Sequence, residues 1–284
     1  GMLLGTRVAI PEPVLADFRA TGTSHLLVIS GWNISVLLGA IVGGATAAGV
    51  PRRRAAALAL PVLPIYVLFV GASPSVIRAG IMGALVLWAT VADREADAWT
   101  GLALACALLA LLDPNVLWDT GFLLSALGTA GIIAWTSRLQ ARLALASSSG
   151  SFGQHLLTGI GEILAPTLAA LVLVLPLLLY QFGTLSLIAP LANVLLAPAV
   201  PLAMLFGAIG AAAGLLALPL GQVLALLAWP FTSWLLQGTH LLARLPWAAV
   251  EVGKFGAEWV WGWYGLIAAL GAWRLWRQQR CAAP

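Results

Sequence analysis

The stretch Leu185 to Leu215, LSLIAPLANVLLAPAVPLAMLFGAIGAAAGL, contains no ionisable side chain and a single amide, Asn193. A helix crosses the hydrocarbon layer of a bilayer in about 20 apolar residues, so this run suits lipid and is too long for one crossing. Pro190, Pro198 and Pro201 interrupt it. Each proline removes a backbone donor, and the freed carbonyls survive in lipid only where protein buries them or a wet cavity solvates them. The stretch therefore predicts a discontinuous helix at the centre of a membrane bundle. The whole chain agrees: of 284 residues, 61% are hydrophobic and 8% charged, against about 25% charged in ordinary globular domains. That balance excludes a soluble core, a disordered tail, a collagen-like chain and a disulfide-stapled domain. The net charge of +4 is first explained by the collection of Lys and Arg in cytoplasmic loops. Cys106, in an apolar run, and Cys281, in the polar tail, suggest neither a bridge nor a metal site.

Outward from this stretch, apolar runs between polar or Pro/Gly punctuation give nine candidate spans: His25 to Val50, Ala55 to Val70, Pro74 to Ala92, Trp99 to Leu112, Thr120 to Trp135, Ile163 to Tyr180, Leu185 to Leu215, Leu220 to Leu242 and Trp259 to Trp276. The expected fold is all-α, a polytopic transmembrane helix bundle with one proline-broken helix. Residues 11–23, with Val14, Leu15 and Phe18 set against Glu12, Asp17 and Arg19, read as an outer interfacial helix. Residues 138–161, broken by the serine-rich run Ser147 to Ser151, read as a cytoplasmic interfacial helix and loop. Residues 1–284 are thus expected to be one transmembrane domain, cut from something longer. Alternating sides places nine basic residues (Arg52, Arg53, Arg54, Arg94, Arg138, Arg142, Arg274, Arg277 and Arg280) on one side and four (Arg7, Arg19, Arg244 and Lys254) on the other. The positive-inside rule then sets the N-terminus outside and the C-terminus in the cytoplasm.

An ionisable or amide group at bilayer depth is costly unless paired, so each is a functional candidate. His25, Ser30 and Asn33 open the first span; on one helix Ser30 and Asn33 lie about 140° and about 80° from His25, so the three can line one cavity, or His25 caps the span at the interface. Arg78, four residues into the third span, either snorkels to outer headgroups or faces a pore and attracts phosphate as a point charge that lysine could replace. Asp113 and Asp119 bracket a short turn in which Pro114 stops one helix and Asp119 caps the next. Gly121, Ser125, Gly128 and Thr129 form a close-packing face. No nucleophile elbow, zinc-protease helix or phosphate loop is present, and His25, His155 and His240 lack acidic neighbours in sequence. Catalytic residues, metal ligands and cofactors are accordingly expected to be none.

Four strings in order resemble the ComEC-type channels of bacterial competence: Phe18 to Leu27 with Ile29-Ser30-Gly31, Ser75 to Met82, Leu111 to Pro114 continuing through Asp119 and Gly121 to Ser125, and Leu177 to Gly183 followed by Pro190 to Pro198. Family members usually place a second histidine where this chain has Asn33, an amide that cannot titrate. The resemblance implies an inner-membrane channel for single-stranded DNA, with an oligonucleotide-binding-like domain before it and a metallo-β-lactamase-like domain after it in full-length members. It makes His25, Ser30, Asn33, Arg78, Ser125, Gln181 and Asn193 candidate contacts along the strand's path, and Gly31, Asp113, Pro114, Asp119, Gly121 and Pro198 structural or capping positions. Trp32, Phe122, Tyr180 or Phe182 could supply base stacking, or face lipid or another helix. The implied partners are single-stranded DNA, the lipid bilayer, other uptake machinery and an energy-supplying protein; self-association stays open. The competing reading is a small-solute secondary transporter with a midplane site at the proline break. An intramembrane hydrolase would need a nucleophile and base that the spacing does not offer.

Overall fold

The computed structural model describes residues 10–27, 31–145, 152–253 and 255–282. Helix α1 (Glu12–Ala20) starts after Pro11 with Pro13 in its first turn, and ends where Gly22 takes a left-handed φ of 67°. A four-residue helix α2 (Ser24–Leu27) follows, and α3 (Gly31–Ala47) leads to α4 (Arg52–Phe69) and α5 (Pro74–Val91). Residues 28–30 of the first expected span lie outside the described residues, and its two described parts have different neighbours. Leu26 of α2 packs with residues near the proline break, whereas Ile34 of α3 packs with α4 and α5 around Ala56, Ala59, Leu63, Val76 and Ala79. Arg52, Arg53 and Arg54 lie exposed at the start of α4, where the helix dipole disfavours cations.

Helix α6 (Ala98–Leu112) begins at an Asp97 N-cap, whose carboxylate accepts from the backbone and side chain of Thr100 at 2.7 Å each. These bonds hold the Asp97 carboxyl below its usual range. A short 3-10 turn (Pro114–Trp118) joins α6 to α7 (Thr120–Leu145), and α8 (Phe152–Phe182) returns against α7. Gly131 is what lets the two approach: a Cβ there would strike the Ala169 carbonyl. Of residues 138–161, expected as an interfacial helix and loop, those up to Leu145 continue α7 and those from Phe152 belong to α8. The Ser147 to Ser151 run lies outside the described residues.

Strand β1 (Thr184–Ser186) leads to α9 (Ala189–Leu196), Pro198 breaks the path, and α10 (Ala199–Leu216) continues. Helix α11 (Leu218–Ala225) folds back on α10, with Gly221 against the backbone of Gly214 and Gly210 against Ala225. A 3-10 turn (Leu226–Ala228) then opens α12 (Trp229–Ala243), which packs on α9 and α10 through Leu196, Val200, Met204 and Leu235. Strand β2 (Ala249–Glu251) pairs antiparallel with β1, Leu185 opposite Val250, and α13 (Ala257–Ala282) packs on α8. The sequence reading did not expect this ribbon.

The architecture is a polytopic helix bundle. Among the described residues, five segments are long and apolar enough to cross a membrane: Pro74–Val91, Thr120–Arg142, Gly159–Phe182, Ala199–Leu216 and Leu218–Ala243; Gly31–Ala47 and Ala98–Leu112 are shorter apolar helices. Three contacts gather distant segments at one end of the bundle. His240 Nδ1 and Asp17 Oδ2 are 2.8 Å apart, Gly22 sits against Ser186 and Ala189, and β1 pairs with β2. The segments before α3, between α8 and α9, and between α12 and α13 therefore share a side.

Candidate functional site

Arg78 lies one turn into α5 and is buried, with 4% of its surface exposed. Its guanidinium points across to α7. Nε and Nη2 donate to Ser125 Oγ at 3.1 and 2.7 Å, and Nη1 donates to Thr129 Oγ1 at 2.7 Å and approaches Met82 Sδ at 3.4 Å. Ser125 and Thr129 are four residues apart, hence on one face of α7. The Thr129 hydroxyl spends its proton on the Ser125 carbonyl at 2.9 Å, which leaves its oxygen free to accept from Arg78. Helix α3 completes the corner: a Cβ on Gly31 would stand 3.8 Å from Arg78 Nη2 and 3.4 Å from the Ala79 Cβ.

This geometry revises two expectations. The guanidinium is buried instead of reaching the outer headgroups, and its fork of N–H groups engages two hydroxyls, an arrangement that a lysine ammonium cannot reproduce. Ser125 and Thr129, expected to pack closely on a neighbouring helix, are its acceptors, while Gly128 and Gly131 form the face that packs on α8. Among the described residues, the ion pairs are Arg19 with Glu12 and His240 with Asp17, so no carboxylate there neutralises Arg78. Hydroxyls stabilise a desolvated cation through charge-assisted bonds but leave its charge in place.

The second polar group lies beside the proline break. Asn193 of α9 is 7% exposed and donates from Nδ2 to Thr167 Oγ1 of α8 at 3.3 Å, while its buried Oδ1 has no partner among the described residues. Nearby, the Leu195 carbonyl, at the end of α9 where the ladder stops, accepts from Trp234 Nε1 of α12 at 3.0 Å. Among the described residues no hydrogen bond joins this group to Arg78.

The other candidates are dispersed. Thr21 and Thr23 are fully buried and 2.7 Å apart at their hydroxyls, flanking Gly22, whose Cβ position would fall 2.7 Å from that of Ala189. The Thr-Gly-Thr string is thus a packed turn that meets the start of α9, while α1 itself packs on α12. His25 is exposed on α2, Asn33 is buried, Ser30 lies outside the described residues, and Gln181 is half-buried at the end of α8. Phe122 is buried in a cluster with Leu109 and Val116, whereas Trp32, Tyr180 and Phe182 are exposed. Asp113 Oδ1 accepts from Asn115 N at 3.0 Å and Asp119 Oδ1 from Phe122 N at 2.7 Å, which makes both of them caps, with Gly121 beneath the Asp119 carboxylate. Pro114 opens the 3-10 turn and Pro198 the helix α10. Sequence reasoning missed the acid that pairs with His240, because Asp17 is far away along the chain. Among the described residues, no group of three or more His, Cys, Asp or Glu is placed to hold a metal ion.

Family comparison adds what geometry alone does not. The model of the Competence protein family matches residues 2–277. The chain belongs to that family. Within it, ComE operon protein 3 of Bacillus subtilis (strain 168) is 30% identical over 233 residues, covering 82% of this chain and 27% of that relative's length. The chain thus spans about a quarter of this competence relative. No solved structure matches.

Proposed function

We propose that this competence-family chain is the membrane channel module through which single-stranded DNA enters the bacterial cytoplasm during natural transformation. The observation that carries the proposal is Arg78, a buried guanidinium held by two neutral hydroxyls within an apolar bundle. A cation already paired with a carboxylate would be spent. One resting on Ser125 and Thr129 can exchange a hydroxyl for a phosphate oxygen, a stronger partner for guanidinium. Transit also requires contacts weak enough to release the strand, and a single exchangeable cation meets that requirement better than a basic groove.

In this reading the module performs no catalysis. Other uptake components deliver the strand and an energy-supplying partner drives it. The protein sits in the inner membrane with its N-terminus outside and its C-terminus in the cytoplasm. A small-solute transporter is the second reading, favoured by the orphaned Asn193 Oδ1 beside a broken helix. Uptake of labelled DNA by cells carrying equal membrane amounts of Arg78→Gln and Arg78→Glu separates the two. The channel reading expects loss with Gln and a deeper loss with Glu, whatever the base composition, since phosphate attraction ignores sequence. Normal uptake by Arg78→Glu removes Arg78 from the path.

A further inference from the structure

Helix α8 keeps helical backbone through Pro176 and therefore carries a gap in its hydrogen-bond ladder. Proline has no N–H, so the carbonyl four residues earlier, that of Val172, loses its helical donor. Relief of the ring's clash with that carbonyl loosens the next rung, at Leu173. Hydrocarbon offers neither group a donor, and a membrane protein must satisfy them from a neighbouring helix.

Both carbonyls find donors on α13. Trp263 Nε1 donates to the Val172 carbonyl at 2.9 Å and Tyr264 Oη to the Leu173 carbonyl at 2.8 Å. Two consecutive aromatic donors thus meet the two consecutive carbonyls that the proline opens. A helical carbonyl already bonded within its own helix can accept a second donor only at its remaining lone pair, whereas the carbonyls opened by Pro176 offer the stronger acceptors. Beyond Pro176, the end of α8 runs into β1, and the chain before α13 comes from β2. The strands pair Thr184 with Glu251, and Val252 N donates to the Gly183 carbonyl at 3.0 Å. Helices α8 and α13 are therefore fastened twice, by a ribbon at one end and by the aromatic pair at the proline gap.

We infer that α13 is a clasp for the ladder gap at Pro176, and that Trp263 and Tyr264 are its positioning residues. They fix the direction in which the last turns of α8 leave the bundle, and with it the placement of β1 and of α9, which bears Asn193. The inference does not depend on what the protein transports.

The defining property of a clasp is that it matters only while the gap exists. In Pro176→Ala, the restored N–H of residue 176 bonds Val172, the next rung closes on Leu173, and the aromatic donors become dispensable. The test is an unfolding equilibrium of the full chain in lipid bicelles for four proteins: wild type, Trp263→Phe/Tyr264→Phe, Pro176→Ala and the triple variant. Two interhelical hydrogen bonds of ordinary worth in membranes shift the equilibrium by about tenfold. That shift is expected while Pro176 is present and should shrink to less than about twofold in the Pro176→Ala background. An equal shift in both backgrounds overturns the clasp and leaves the rings as packing. A second readout holds if the double variant fails to fold. With a 13C=18O label at Val172, Trp263→Phe alone should move the labelled amide I band to higher wavenumber as the carbonyl loses its donor, and an unmoved band overturns the assignment.

Discussion

Removing Ser125's hydroxyl should cost more than removing the charge it serves. Ser125→Ala deletes the acceptor of two guanidinium N–H groups, those of Nε and Nη2, and leaves the buried cation with Thr129 as its remaining oxygen partner among the described residues. Hydrogen bonds to charged groups are worth about 1.5–3 kcal/mol in soluble proteins, whereas interhelical bonds in a membrane protein average about 0.6 kcal/mol with a maximum near 1.7. With two bonds lost and a buried charge left short of acceptors, Ser125→Ala should cost somewhat more than a single membrane hydrogen bond at its maximum, about 2 kcal/mol. Arg78→Met removes the desolvated charge along with its bonds and keeps much of the volume, and such replacements are often close to neutral. In the Arg78→Met background, Ser125→Ala should then cost less than about 0.5 kcal/mol, because a lone serine returns its hydroxyl to its own helix. The assay is a double-mutant cycle on reversible unfolding in bicelles, with a coupling energy of about 1.5–2 kcal/mol expected. Additive losses would refute the reasoning and reduce the Arg78–Ser125 contact to coincidence. Arg78→Lys belongs in the same series: without the fork it should lose at least about 1 kcal/mol, where a point-charge role would lose nothing.

Gly131→Val should destabilise by about 2 kcal/mol or more, since its side chain would meet the Ala169 carbonyl at the closest approach of α7 and α8; Gly39→Ala, with open space around it, should be neutral or gain up to about 1 kcal/mol from helix propensity. Asp97 has its pKa depressed by the Thr100 hydrogen bonds, so the stability it lends the start of α6 is complete above the ordinary aspartate value of about 3.9 and is lost as pH falls through the depressed value. Asp97→Asn should therefore flatten the acid limb of the stability curve, read by the helical signal between neutral pH and about pH 2. For topology, after Cys106 and Cys281 are replaced, an external thiol reagent should label a cysteine at Asn115 and spare one at Arg53; the reverse pattern inverts the orientation.

Much of the fold was legible because punctuation in this chain is chemical. Pro74 and the polar Asp93-Arg94-Glu95 run bound α5, the Asp97 cap and Pro114 bound α6, and Pro198 divides α9 from α10. Helix ends without such marks were misjudged. The helix whose span was expected to stop at Trp135 runs on to Leu145, because Arg138, Gln140 and Arg142 are good helix formers and end the apolar run without ending the helix. The ribbon of β1 and β2 has three residues on each side, too short for any periodicity to declare itself.

The site was legible as a set of residue types and hidden as a set of pairs. Arg78 stands out in sequence because a cation inside an apolar run demands explanation, and the spacing of Ser125 and Thr129 showed that they share a face. That these two meet Arg78 is a fact of how α5 crosses α7. The same limit applies to Asp17 with His240 and to Trp263 and Tyr264 with the carbonyls freed by Pro176, since each pairing needs the assembled bundle. Asn193 is the intermediate case: its burial followed from the apolar stretch around it, its partner Thr167 did not.

If single-stranded DNA passes this bundle beside Arg78, as proposed, the strand can be captured there in transit. A photo-crosslinking amino acid at Asn33 or at Ser125, in cells whose uptake of labelled DNA persists, should trap the label upon illumination, and one at the exposed, outward-facing Leu58 should not. Label on Leu58 as strongly as on the two interior positions, or none on either interior position while uptake continues, would contradict the account.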